Sequence, residues 1–149
     1  MEKMLKSLIE NCDNEISILS NMTALINMQM EDVSWVGFYL FKNGELILGP
    51  FQGKIACTNI AIGKGVCGHT AKTLTTTIVP NVHEFPGHIA CDSASNSEIV
   101  LPIVINNKLY GVLDLDSTSF NRFGEKEKNV LEKCIEILIE RLGELNVGN

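Results

Sequence analysis

The sequence predicts an α+β fold, with an antiparallel sheet carrying helices from both ends of the chain on one face and pocket loops on the other. Two turn signals and two flanking helical patterns carry that prediction. Asn43-Gly44 and Asn106-Asn107 each separate runs rich in β-branched and aromatic residues, and strands joined by such tight turns pair antiparallel. Residues 3–30 and 124–145 repeat apolar side chains at helical spacing.

The elements follow in order. Leu5, Leu8 and Ile9 share one helical face, and Ile16, Leu19, Ala24, Leu25 and Met28 extend it as a broad stripe. Asn11-Cys12-Asp13-Asn14 interrupts the pattern and divides two helices, with Asp13 the expected cap. Residues 33–41 read as a strand, residues 45–48 as its partner, and Gly49-Pro50 as its end. Residues 55–60 read as a short strand, Gly63-Lys64-Gly65 as a turn and residues 66–74 as a short helix. Residues 75–79 are a β-branched run stopped by Pro80, and residues 80–97 form a long loop of the kind that usually carries function. Two apolar strands, 98–105 and 109–115, then precede a helix from Gly124 to about Leu145. Glu125 and Glu127 suit its first turn electrostatically, and Ile135, Leu138, Ile139 and Leu142 form its buried face.

With 149 residues the chain is expected to be one domain, 1–149. It is 45% hydrophobic and 20% charged, with net charge −6. That balance argues against a nucleic-acid partner, which needs a basic face. No apolar run approaches the ~20 residues of a membrane span, and the N-terminus does not read as a signal peptide. The expectation is a cytoplasmic protein with no membrane partner. Thiols stay reduced there, and an odd count of five cysteines disfavours a pure disulfide framework.

The cysteines fall into two groups. Cys12 and Cys134 lie in helical apolar patterns and read as core residues. Cys57, Cys67 and Cys91 lie among Gly, Thr, Ser and His, where a thiol can be reactive. Their spacing matches neither a zinc finger nor a Cys-X-X-Cys motif. His83 and His88 flank Cys91, and either could favour its thiolate; His83 is better read as an ordinary loop histidine. Glu98 opens one strand of the second hairpin, while Asp114 and Asp116 close the other on one face. Three carboxylates converging there would raise one pKa and yield a general acid, or would hold a substrate ammonium. Turn chemistry with Ser117 and Thr118 is the rival account of Asp116, and the functional reading stands ahead of it because the acids and Cys91 fall at the same end of this hairpin. Trp35 and Tyr39 face the same way, with Gly37 leaving a gap between them. They make a wall for a small methyl-bearing group, although core packing is the favoured reading from residues alone. Together these features fit thiolate attack on a small oxidised molecule, an acid protonating the leaving oxygen, and a second cysteine closing a disulfide.

Several strings carry a specific resemblance. Gly49-Pro50-Phe51-Gln52-Gly53, Ala56-Cys57, Gly63-Lys64-Gly65-Val66-Cys67-Gly68, Phe85-Pro86-Gly87-His88-Ile89-Ala90-Cys91-Asp92, Ser97-Glu98-Ile99-Val100 and Gly111-Val112-Leu113-Asp114-Leu115-Asp116-Ser117 closely resemble the free methionine-(R)-sulfoxide reductases, which are built on the GAF domain. The match runs from about Trp35 to the last helix, and Asn81 stands where many relatives carry an acid. The resemblance implies a GAF-like sheet, Cys91 as the attacking cysteine, and Cys57 as the resolving one with Cys67 as the alternative. It implies that Glu98, Asp114 and Asp116 hold the substrate and its sulfoxide oxygen, with Glu98 the candidate proton donor. It implies that Trp35 and Tyr39 receive the ε-methyl group. It also implies free methionine-R-sulfoxide as substrate, recycling by thioredoxin, a homodimer, and no metal or organic cofactor. Two rivals stand beside it: a non-enzymatic GAF sensor module that binds a small ligand, and a zinc site built from Cys57, Cys67, Cys91 and a histidine.

Overall fold

The structure, a computed structural model, describes residues 1–89, 91 and 93–148. Along the chain run α1 (Glu2–Ile9), α2 (Glu15–Gln29), β1 (Trp35–Lys42), β2 (Glu45–Gln52), β3 (Asn59–Ala61), α3 (Gly65–Thr73), β4 (Thr77–Val79), β5 (Ser97–Ile105), β6 (Lys108–Ser117) and α4 (Glu125–Glu144). The strands form one six-stranded sheet in the order β3-β2-β1-β6-β5-β4, with every adjacent pair antiparallel. Both hairpin turns hold their central residues at positive φ: 52° and 83° at Asn43 and Gly44, 53° and 64° at Asn106 and Asn107. That left-handed geometry matches the twist of the flanking strands.

The terminal helices α1, α2 and α4 cover one face, as expected. Phe38, Leu101 and Leu113 of the sheet pack there against Ile18, Met22, Leu138 and Leu142, all fully buried. Each such side chain contributes roughly 1.5–3 kcal/mol by leaving water. The other face carries α3 and a smaller core that includes Trp35, Tyr39, Val66, Cys67, Val100 and Val112. A Cβ on Gly68 would stand 2.5 Å from the Ala61 carbonyl oxygen, so only glycine lets α3 settle against the end of β3.

Several sequence expectations need correction. Asn14, not Asp13, caps α2: its side-chain oxygen accepts the Ser17 N–H at 3.1 Å. Asp13 is instead drawn to Arg141 of α4, at 2.7 Å. The broad N-terminal stripe is only partly in phase: Leu5, Ile9, Leu19 and Leu25 are buried as expected, but the break between α1 and α2 turns the rest. Leu8, Ile16 and Met28 are exposed, while Ile18, Leu19, Met22, Leu25 and Ile26 face the core. Gly49-Pro50 does not end β2. Gly37 pairs with Phe51 and Tyr39 with Leu48, so a bulge opposite Phe38 absorbs the proline and the strand runs on to Gln52. The short strand expected at 55–60 is confined to Asn59–Ala61, and the one at 75–79 to Thr77–Val79. The loop at 80–97 contains a 3₁₀ turn over Val82–Glu84, and β5 begins at Ser97. Ala90 and Asp92 of that loop lie outside the described residues.

Candidate active site

Strand register assembles the site. Trp35 of β1, Asp116 of β6 and Glu98 of β5 align in one row; Gly37, Asp114 and Val100 align in the next. Directly opposed residues share a face, and this is the face that the terminal helices leave open. Above it lies a cleft of about 550 Å³, counted with its open mouth. Trp35, Tyr39, Glu98, Asp114 and Asp116 form its floor; Val66 and Cys67 of α3, with Cys91 and Ser95, form its walls.

The floor is acidic yet shielded from water. Glu98 is 7% exposed and Asp114 5%. Burial pushes Glu98 well above the usual carboxylate range, and the neighbouring Asp114 and Asp116 push it further. Burial also raises Asp114, to about 6, although hydrogen bonding with Glu98, Cys67 and Asp116 pulls it partly back. Glu98, the more strongly raised of the two, is the group suited to hold its proton near neutrality and deliver it. One carboxylate oxygen, Asp114 Oδ1, is buried with no hydrogen-bond partner among the described residues, and so is Ser95 Oγ. A buried polar atom of that sort calls for a partner other than these side chains: a water, an ion or a ligand.

The three loop cysteines separate clearly. Cys57 and Cys91 form a disulfide with Cα atoms 5.5 Å apart, well inside the range such bonds need. Cys67 is a buried free thiol, and burial followed by the Asp114 charge raises its pKa strongly. Cys134 is buried in the helical core as expected, and Cys12 packs at its edge. Burial, then His83, holds His88 below its ordinary pKa, so it stands at the cleft without the positive charge that would favour a thiolate. His83 contacts Asn96 Oδ1 at 2.8 Å, in keeping with an ordinary loop role. Asn81, in place of an acid, accepts the His83 backbone N–H at 3.0 Å, a task either side chain performs.

The aromatic wall is present but is built differently from the sequence reading. No gap lies over Gly37. A Cβ there would meet the Trp35 ring at 2.6 Å and Phe51 at 2.4 Å, so the glycine lets the indole lie flat across the strand. Trp35 stacks between Tyr39 and Phe51, with ring centres 5.9 and 5.3 Å away. Its Nε1–H donates to the Lys54 carbonyl at 3.1 Å, and the Tyr39 hydroxyl donates to the Cys57 carbonyl at 2.9 Å. The wall therefore also anchors the segment that carries Cys57. Among the described residues, the group with metal-ligand geometry is Cys67, Glu98 and Asp114, not the rival set of three cysteines and a histidine. Cys57 and Cys91 are engaged with one another instead.

The chain matches the GAF domain family model over residues 13–136. It is 48% identical over 120 residues to the free methionine-R-sulfoxide reductase of Escherichia coli, covering 80% of this chain and 73% of that protein. The solved fRMsr of Staphylococcus aureus in its reduced form superposes with TM-score 0.92 at 50% identity, covering 95% of this chain and 92% of that one. The Neisseria meningitidis free methionine-R-sulfoxide reductase, solved with its substrate, gives TM-score 0.94 at 36% identity and covers 97% and 87%. The chain belongs to the free methionine-R-sulfoxide reductases of the GAF family.

As a member of that family, the chain brings all eight residues singled out in its sequence to one cleft or its rim: Trp35, Tyr39, Cys67, Cys91, Glu98, Asp114 and Asp116 line it, and Cys57 is bonded to Cys91. Ser95 escaped sequence reading, because a serine in a polar loop carries no signal until the fold buries its hydroxyl. Ile55 and Ile89 at the rim escaped it too. Both lie in irregular segments without periodicity, and both are exposed.

Proposed function

We propose that residues 1–149 act as a single-domain enzyme in which Cys91 attacks free methionine-R-sulfoxide and Cys57 resolves the product. The reaction itself, cysteine-based reduction of free methionine-R-sulfoxide to methionine, is the activity of this family. The observation that carries the residue assignment is the Cys57–Cys91 disulfide at the mouth of a cleft floored by protonatable acids. A small-ligand sensor reading gives that pairing no purpose.

In the proposed cycle the Cys91 thiolate attacks the sulfoxide sulfur, and Glu98 gives a proton to the oxygen as the S–O bond breaks. The sulfur–sulfur bond formed in the attack breaks as the oxygen bonds to Cys91, which leaves a sulfenic acid there and releases methionine as the thioether. The Cys57 thiolate then attacks that sulfur, hydroxide departs and is protonated to water, and the disulfide forms. Thioredoxin returns both thiols by exchange, giving up two electrons as its own dithiol is oxidised. The substrate ammonium faces Asp114 and Asp116. Its carboxylate suits the N-terminal turn of α3, where Gly65, Val66 and Cys67 border the cleft. A peptide-bound methionine carries neither charged group, which accounts for selection of the free amino acid. The methyl group lies against Trp35 and Tyr39.

The cytosol is the compartment that supplies this cycle with dithiol reductant, and among the described residues no helix is long and apolar enough to cross a membrane. A homodimer belongs to the proposal as well. Exposed Leu8, Ile16 and Met28 on α1 and α2 give apolar surface for it, and sedimentation at several concentrations tests it. The deciding experiment is single-turnover methionine release. Cys91→Ser should release none. Cys57→Ser should release one equivalent and then fail to cycle with thioredoxin. Release by Cys91→Ser at the wild-type rate sinks the assignment.

A further inference from the structure

The reduction cycle uses Cys57 and Cys91 and leaves Cys67 idle, although its thiol sits among the acids on the cleft floor. We propose that Cys67, Glu98 and Asp114 bind a borderline-soft divalent cation of the zinc type, which closes the cleft to substrate while it is bound. One ligand atom from each residue lies within 4.8 Å of the others, and all three side chains are buried. Two carboxylates and a thiolate are a ligand set that zinc accepts, and three protein ligands leave a fourth position open. Binding displaces the protons of the ligands into solvent, with no change of oxidation state.

A second observation points to a ligand rather than to a packed acid cluster. Among the described residues, Asp114 Oδ1 is buried without a hydrogen-bond partner of its own. Among the described residues no ion pair reaches Glu98 or Asp114. A substrate ammonium would answer the carboxylates, but it is a pure donor and makes no use of a thiol that could have been a serine or alanine. A metal with affinity for sulfur uses all three groups.

The disulfide form isolates the question. With Cys57 and Cys91 joined, the free thiols are Cys12, Cys67 and Cys134, and Cys12 and Cys134 pack on the helical side of the sheet. Cobalt(II) titrated into that form should bind one equivalent and show thiolate-to-cobalt absorption, and zinc should abolish the band. Cys67→Ser should lose the band, and Asp114→Asn should bind at least about tenfold more weakly. Circular dichroism establishes that each variant is folded; if Cys67→Ser is not, the wild-type band and Asp114→Asn decide. Absence of the band in the wild type, its survival in folded Cys67→Ser, or unchanged affinity in Asp114→Asn overturns the proposal. The disulfide form cannot turn substrate over, so free methionine-R-sulfoxide can be added as a competitor and should displace the cobalt. Failure to compete overturns the closure of the cleft. That last arm alone rests on the proposed substrate position, and metal uptake is read without any activity.

Discussion

Replacing Asp114 by asparagine should make the folded protein more stable near neutral pH while removing its ability to hold substrate. The magnitude follows from the environment of the carboxyl. Burial moves Asp114 from its ordinary value of 3.8 to about 6. Each pKa step of one corresponds to about 1.4 kcal/mol, so ionising this group in the fold costs up to about 3 kcal/mol more than in the unfolded chain. Between those two pH values the unfolded chain has lost the proton and the folded protein keeps it. The folded state therefore loses stability as pH rises across the window, and the full penalty stands above it. An amide carries no charge and escapes the penalty, and the neighbouring Glu98, itself raised in part by the Asp114 charge, is relieved as well. Urea unfolding of wild type and Asp114→Asn, near neutral pH and again below the window, measures the effect. The variant should gain up to about 3 kcal/mol at neutral pH and little or nothing in acid. Equal stability at neutral pH, or a gain of the same size at both, would refute the reasoning. The trade of stability for function is the one expected of a strained site.

Glu98→Gln should slow single-turnover methionine release by about 10²–10⁴-fold, the usual contribution of a positioned acid. In the wild type, release should decline as pH rises through the raised Glu98 pKa, and the variant should lack that decline; an unchanged profile would remove Glu98 as the donor. The disulfide closes a loop with a sequence separation of 34 residues, worth about 4 kcal/mol on a chain-entropy estimate. Scanning calorimetry should show the oxidised protein melting well above the reduced one, and coincident transitions would contradict this. Tyr39→Phe keeps the ring but frees the Cys57 carbonyl, so disulfide formation should slow more than methionine release does. Quenched-flow thiol counting separates the two steps, and equal slowing would assign Tyr39 to the pocket alone.

Much of the site was legible because it is written in strand alternation. Once Asn106-Asn107 is recognised as a two-residue turn, Glu98 comes to the same end of the hairpin as Asp114 and Asp116, but only the register shift between Ile103 and Val104 sets it opposite Asp116 and on the face of both aspartates. The hairpin at Asn43-Gly44 fixes Trp35 and Tyr39 in the same way. What was not legible depends on contacts distant in sequence. Asp13 and Asn14 are equivalent as caps until Arg141 arrives from the far end of the chain and takes the aspartate. Pro50 reads as a terminator until the bulge opposite Phe38 absorbs it. Gly37 reads as a vacancy, yet its missing side chain is filled by the neighbouring indole. The choice between Cys57 and Cys67 as the partner of Cys91 could not be made from spacing, because it depends on how the two sheet edges curl over the cleft.

That curl has a mechanical consequence. β3 and β4 are the opposite edges of the sheet; Cys57 lies just ahead of β3, and Cys91 lies in the long loop that leads from β4 to β5. Hydrogen bonds link the six strands side by side, and the sulfur–sulfur bond joins the two outer margins across the cleft. The oxidised protein is thus a fastened hoop, and the reduced protein is the same band unclasped. The circumference is continuous in one and cut in the other. A single two-electron event sets the tension of the whole open face.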